Sequence, residues 1–95
     1  NHNHLRIITN SLRVAHILYK NPRFEVMVPG GTLAEAIADY IPDGSTIFIT
    51  IGTTVEHVAR ALLNHNHLRI ITNSLRVAHI LYKNPRFEVM VPGGT

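Results

Sequence analysis

Residues 1–32 and residues 64–95 are the same sequence, NHNHLRIITNSLRVAHILYKNPRFEVMVPGGT, without one difference. Any fold open to this chain must therefore seat that segment twice, around one unique stretch at 33–63 (LAEAIADYIPDGSTIFITIGTTVEHVARALL). Natural duplications drift, so a perfect match implies a very recent event or a designer. The chain is read as engineered, with pieces of a natural site retained and no evolved activity expected. Its start at Asn1 reads as a cut inside a longer parent.

Two periodicities alternate along the chain. LRIIT (Leu5–Thr9), FEVMVP (Phe24–Pro29) and STIFIT (Ser45–Thr50) are short apolar runs rich in β-branched residues, and the first two return at Leu68–Thr72 and Phe87–Pro92. Near-continuous apolar strands suit a parallel sheet covered on both faces. Between them lie helical patterns. Leu33, Ala36, Ile37, Tyr40 and Ile41 share one spacing; Val55, Val58, Ala59, Leu62 and Leu63 share another. Leu12–Leu18 and its copy Leu75–Leu81 carry a similar apolar face. Thr32-x-x-Glu35 and Thr53-x-x-Glu56 read as capping boxes, and Asn10 and Asn73 as N-caps. Asn21-Pro22, Asn84-Pro85 and Pro42-Asp43-Gly44 read as stops and turns.

The order is β-α-β-α-β-α-β-α-β. Strict alternation with short loops implies right-handed crossovers and a parallel sheet. The expected fold is α/β: one domain over 1–95, a five-stranded parallel doubly wound sheet of order 2-1-3-4-5, a flavodoxin-like or Rossmann-like three-layer sandwich. STIFIT takes the centre, with LRIIT on both sides and FEVMVP outermost. The second copy then closes the open side of a half-sheet, which gives the repeat a designed purpose.

Charge argues little. Each copy carries a net +3 and the unique stretch −3, so the overall +3 is a by-product of repetition, not a nucleic-acid footprint. There is no cysteine, which rules out disulfides and thiolate metal sites and fits a reducing, cytoplasmic setting. No apolar run approaches the roughly 18 residues of a membrane span.

The sharpest chemical signal is STIFIT followed by Ile51-Gly52-Thr53-Thr54 and then a helix. Gly52 permits a tight turn, after which the amides of Thr53, Thr54 and Val55 face outward from a helix N-terminus. That suits a phosphate or carboxylate. From spacing alone a capped βα turn with no ligand is the commoner outcome, because a lone Gly with capping threonines is common. Thr-Asn-Ser follows each LRIIT (Thr9–Ser11, Thr72–Ser74), and Gly-Gly follows each FEVMVP (Gly30–Gly31, Gly93–Gly94). All follow strand C-termini, the rim where open α/β sheets bind ligands.

Taken in order, the DG turn (Asp43, Gly44), the GTT loop (Gly52, Thr53, Thr54), the TN pair (Thr72, Asn73) and the GG pair (Gly93, Gly94) resemble the sensor domain of DeoR-family transcriptional repressors. The likeness covers about residues 34–94 in one register and 1–31 as a second copy of its later part. It implies a Rossmann-like fold that binds phosphorylated sugars or polyols at the strand C-termini. Gly52, Thr53 and Thr54 would then hold phosphate, with Thr72, Asn73, Gly93 and Gly94 nearby. Two departures matter. The family's winged helix-turn-helix and the later half of its sensor domain have no counterpart here, so no nucleic-acid partner is expected. Thr50 also stands where the family often has Asp. A partial site of this kind is expected to hold an anion weakly, at millimolar level or worse, corresponding to about 4 kcal/mol or less.

Seven histidines include His2-x-His4 and its copy His65-x-His67, a spacing that can bind zinc or nickel adventitiously. They lie before strands, away from the rim, and no metal site or cofactor is assigned. His57, one turn into the GTT helix, is the histidine nearest the candidate anion site; His16 and His79 read as helix-flank residues. Nothing assembles a nucleophile, base and orienter, so no enzyme is expected. The alternative to an inert scaffold is a residual binding module for a phosphorylated sugar or polyol at the GTT loop. No membrane partner is expected. The outer strands leave an open edge on each side, so the chain is expected to be a homodimer, edge-to-edge or domain-swapped.

Overall fold

The computed structural model describes residues 5–29 and 34–92. Among these residues nine elements alternate: β1 Leu5–Ile8, α1 Leu12–Leu18, β2 Phe24–Met27, α2 Ala34–Tyr40, β3 Thr46–Ile49, α3 Thr53–Leu62, β4 Arg69–Thr72, α4 Leu75–Leu81 and β5 Glu88–Met90. The sheet order is β2-β1-β3-β4-β5, and all four pairings are parallel. β3 is central, with one copy of LRIIT on each side, as the alternation of patterns predicts. Each strand is one to three residues shorter than its apolar run: β1 and β2 lose the end of the run, β4 its first residue, and β3 and β5 residues at both ends.

The register fixes which side chains share a face, since paired residues of parallel strands point the same way. Ile47 pairs with Arg6 and Ile70, and Ile49 with Ile8 and Thr72. Ile8, Ile47, Ile49 and Ile70 join Val55, Val58, Ala59, Leu62, Val77 and Leu81 in the main core. That face is covered by α2, α3 and α4, which pack side by side. The opposite face carries Ile7, Phe48 and Ile71, which pair across β1, β3 and β4, with Val26 beside Ile7. Among the described residues α1 is the helix that lies there, against β2. The reason is chirality. β1 to β2 runs one way across the sheet and every later crossover runs the other, so right-handed connections send α1 to one face and α2–α4 to the other.

The two copies are thus related by a pseudo-twofold along β3. Each βαβ unit keeps its internal register, Leu5 opposite Phe24 and Arg69 opposite Glu88. The surroundings differ. α4 buries Val77, Ala78, Ile80 and Leu81, whereas the identical α1 buries none of its residues. Ile80 packs beside α3 and is 7% exposed; Ile17, with no neighbouring helix, is 61% exposed. At about 25 cal/mol per Å² of apolar surface, a missing helix neighbour forfeits most of what an isoleucine contributes.

Local signals need three corrections. The N-caps of α1 and α4 are Ser11 and Ser74, not Asn10 and Asn73: each hydroxyl accepts from the amide three residues on, Val14 or Val77. The buried Thr9 and Thr72 hydroxyls accept from the Ser11 and Ser74 amides and so set each cap one residue late. Thr53 likewise does not head a capping box. Gly52 is the N-cap, and the Glu56 carboxylate reaches Arg76 at 3.7 Å instead. Thr32, of the other proposed box, and Leu33 lie outside the described residues. The buried face of α2 centres on Ala38 and Ile41, while Tyr40 and Ala36 are exposed. Tyr40 leaves that face because its hydroxyl donates to Glu25 Oε2 at 2.7 Å.

The turn at Pro42-Asp43-Gly44 forms, with Gly44 at φ +86°, a left-handed conformation that glycine tolerates best. It also anchors the loop before β4. Asp43 accepts from the Asn66 amide (3.2 Å) and from Asn66 Nδ2 (3.1 Å), and the Gly44 amide donates to the His67 carbonyl.

Candidate functional site

The rim of the sheet is built where strands end and helices begin. β3 leaves the sheet at Thr50, and Gly52 turns the chain at φ +152°, ψ 149°, a region essentially reserved for glycine. The first helical bond of α3 runs from the Glu56 amide to the Gly52 carbonyl at 3.1 Å. The amides of Thr53, Thr54 and Val55 therefore precede the helical ladder, at the positive end of a ten-residue helix. Thr53 is exposed, Thr54 half-buried and Val55 buried in the core.

Of the residues that the sequence places here, Gly52, Thr53 and Thr54 form this turn. Thr72 is fully buried at the end of β4, level with Ile49, and its hydroxyl is engaged by Ser74; Asn73 is exposed. Gly93 and Gly94 lie outside the described residues, as do Gly30 and Gly31.

The neighbour that sequence reasoning left out of the set is Asn10. A Cβ placed on Gly52 would sit 3.5 Å from Asn10 Cβ and 3.7 Å from Val55 Cγ2. Thr50 Oγ1 donates to Thr9 Oγ1 at 3.1 Å, and the Thr50 amide donates to the Ile8 carbonyl. Ile8 and Thr72 are both level with Ile49, so the first copy rides one residue further toward the rim than the second. Topology points to the same side. α1 and α3 depart to opposite faces, so the gap between β1 and β3 is the switch point, the place where doubly wound sheets open a ligand crevice. Beyond β4, α3 and α4 share a face and no such gap arises. The signal available in the sequence was the strand order itself, because 2-1-3-4-5 puts the switch beside β1.

The rim charges are unusual for helix starts. Arg13 and Arg76 occupy the first turns of α1 and α4, which carry no acidic residue there, against the preference of the dipole. Arg76 is engaged by the Glu56 carboxylate of the first turn of α3 at 3.7 Å, which leaves Arg13 as the charge that favours an anion at the rim. His57 is exposed on α3, and His16 and His79 are exposed on α1 and α4. His65 lies at the other end of the sheet, where its Nε2 contacts the Ile41 carbonyl at 2.7 Å. Among the described residues no group of three His, Asp or Glu side chains is placed to hold a metal ion, and no helix is long and apolar enough to cross a membrane.

Residues 32–95 match the family model described as the DeoR C terminal sensor domain. The chain is 95% identical over 63 residues to the HTH-type transcriptional repressor CsqR of Escherichia coli strain K12, an alignment covering 66% of this chain and 24% of that protein. It is 49% identical over 63 residues to the glycerol-3-phosphate regulon repressor of Haemophilus influenzae, covering 66% and 25%. It is 45% identical over 64 residues to a lactose phosphotransferase system repressor of Staphylococcus epidermidis, covering 65% and 25%. The chain thus spans about a quarter of the length of these curated relatives, all named as repressors. No solved structure matches it. The matched stretch begins just before α2 and takes in the central strand, the GTT turn and the whole second copy, and on that evidence the chain belongs to the DeoR C-terminal sensor domain family.

Proposed function

We propose that this chain is an engineered α/β scaffold, cut from a DeoR-type sensor domain and closed by a second copy of its own later segment. Its one retained function is weak binding of a phosphorylated sugar or polyol at the rim. The observation that carries the reading is the Gly52 turn: a glycine-only backbone places three amides before the helical ladder of α3, at the switch point, with Asn10 against it. Thr53 and Thr54 add hydroxyl donors, and Arg13 adds positive potential. Relatives named for the glycerol-3-phosphate regulon and the lactose phosphotransferase system support a phosphorylated ligand class. The chemistry of this reading is recognition: among the described residues no nucleophile and base are brought together at the rim. Cytoplasmic placement follows from the same reading as a repressor fragment.

The test is thermal. Ligand that binds only the folded chain raises the melting temperature by mass action. Glycerol 3-phosphate and inorganic phosphate at millimolar concentration are expected to raise it, and glycerol at the same concentration is not. Equal curves with and without the phosphates would leave the inert scaffold as the whole function.

A further inference from the structure

We propose that two copies of this chain pair edge to edge through β2, antiparallel, about a twofold at Val26, and not through the identical segment at β5. The motive is main-chain bonding. The Leu5 and Thr9 amides donate to the Arg23 and Met27 carbonyls, so Arg23, Glu25 and Met27 turn their main-chain groups toward β1. Phe24, Val26 and Val28 alternate with them and turn theirs to the outer edge. The Phe24 amide donates to the Asn21 carbonyl at 3.0 Å. The rest of that edge is a row of donors and acceptors that a further strand satisfies.

Three observations select β2 of a second copy as that strand. The first is register. In antiparallel pairing centred on Val26, its N–H and C=O bond those of the second copy's Val26. Each Val28 amide then reaches the other copy's Phe24 carbonyl. The ladder also stops itself, because Pro22 and Pro29 bound the segment and proline has no amide to extend it.

The second is the helix above the edge. A groove between α1 and β2 is lined by Leu12, Ala15, His16, Tyr19, Val26 and Val28. It takes no residue of β1, where Ile7 is closed at 2% exposure, so it runs along the outer flank of α1. Val26 lies beside these four helical positions, so one axis serves strand and helix. Across it Leu12 meets the second copy's Tyr19, and Ala15 meets its His16. The groove is thus complementary to its own mate, as an isologous contact requires. With α1 set over β1 and β2, the two helices stand about 10 Å apart, the distance of packed helices.

The third is charge. Glu25 faces the second copy's Met27, and Lys20 its Ser11, so neither stands directly opposite its like. The two Glu25 side chains lie diagonally across the axis, and each is held within its own copy by Arg6 Nε at 3.1 Å and the Tyr40 hydroxyl at 2.7 Å. β5 repeats the sequence without these conditions. Its Glu88 pairs at 3.4 Å with Arg69, and both are largely exposed. Ala78, the copy of Ala15, is 3% exposed, which closes the middle of the matching flank. Val28 is 40% exposed at the β2 edge, whereas its copy Val91 is half-buried.

Sedimentation equilibrium of the full chain at high micromolar concentration tests this, and the repeat supplies its own controls. The expected mass is twice 10.6 kDa. Val26→Pro removes an outward amide and spares the bonds to β1, so the mass should return to the monomer's with circular dichroism unchanged. Val89→Pro, the same change in the same local sequence, should leave the dimer. Tyr19→Lys and Tyr82→Lys, both at exposed positions, should divide in the same way. The chain has no native cysteine, and bonded antiparallel pairs lie about 5.5 Å apart, within reach of a disulfide. Under mild oxidation Val26→Cys chains should therefore link in pairs and Val89→Cys chains should not, a readout that stands even if a proline variant fails to fold. A monomer at every concentration, a dimer that survives both Val26→Pro and Tyr19→Lys, or equal disulfide yields from the two cysteine variants would each overturn the proposal.

Discussion

The Thr50 hydroxyl donates to the Thr9 hydroxyl at 3.1 Å, joining the end of β3 to the end of β1 where the chain splits to opposite faces. Thr9 is fully buried and accepts a second bond from the Ser11 amide. One hydroxyl pair therefore links the central strand, the outer copy and the start of α1. It holds Asn10 against Gly52.

Gly52→Val tests the turn. The space beside Gly52 is ordinary van der Waals room, so the cost comes from φ +152°, not from a clash. Residues forced into such regions cost about 1–3 kcal/mol. Urea denaturation should show a loss of that size, together with loss of any phosphate-induced rise in melting temperature. Retention of phosphate binding at unchanged affinity would remove this turn from the site.

The caps give a paired test. Ser74→Ala should cost about 1 kcal/mol, the usual value of an N-cap hydroxyl. Asn73→Ala should change stability by less than about 0.5 kcal/mol, as exposed positions do. Equal losses at the two positions, measured by chemical denaturation, would restore asparagine as the cap.

Much of this fold was legible in the sequence. Five apolar runs alternating with four amphipathic segments admit one economical arrangement, and LRIIT and STIFIT pair as their β-branched character requires. The buried face of α3 was legible in all but its last position, since Val55, Val58, Ala59 and Leu62 are buried while Leu63 is the half-buried C-cap. The caps were not, because Asn and Ser are both good caps and only the Thr9 and Thr72 hydroxyls decide between them. Nor was the side of the rim legible. Asn10 and Asn73 have identical neighbours in sequence, and a one-residue difference in register against β3 brings Asn10 to Gly52. Tyr40 escaped its predicted face because its partner Glu25 is distant in sequence and no periodicity reports it.

Identical residues in unlike surroundings make an internal control. Ile80→Ala removes a buried side chain and should cost about 2–5 kcal/mol. Ile17→Ala removes the same atoms from an exposed position and should cost less than about 0.5 kcal/mol, when measured at dilutions where the chain is monomeric. Equal losses would mean that α1 has a partner helix that this architecture lacks.

Asp43 supplies the pH dependence. The Asn66 amide, its main hydrogen-bond donor, holds the carboxyl below its ordinary value of 3.8. A depressed folded value means that the unfolded chain binds its proton first. The contribution is therefore complete above the ordinary value and is lost as pH falls through the depressed one. Asp43→Asn should flatten that acid limb of a melting-temperature profile. A limb of unchanged steepness would show that the loop before β4 does not depend on the carboxylate.

Two segments with the same side chains carry no information about which of them belongs on which flank of β3. That information resides in the unique stretch between them. The Ile47–Ile49 side of β3 differs from its Thr46–Phe48 side, and α2 and α3 must both cross with the same hand. Left and right in this molecule are thus decided by backbone chirality read against a single asymmetric strand. A more even β3, with isoleucine on both sides, would leave the two halves free to condense in either order, and the chain would meet two competing folding routes of nearly equal energy.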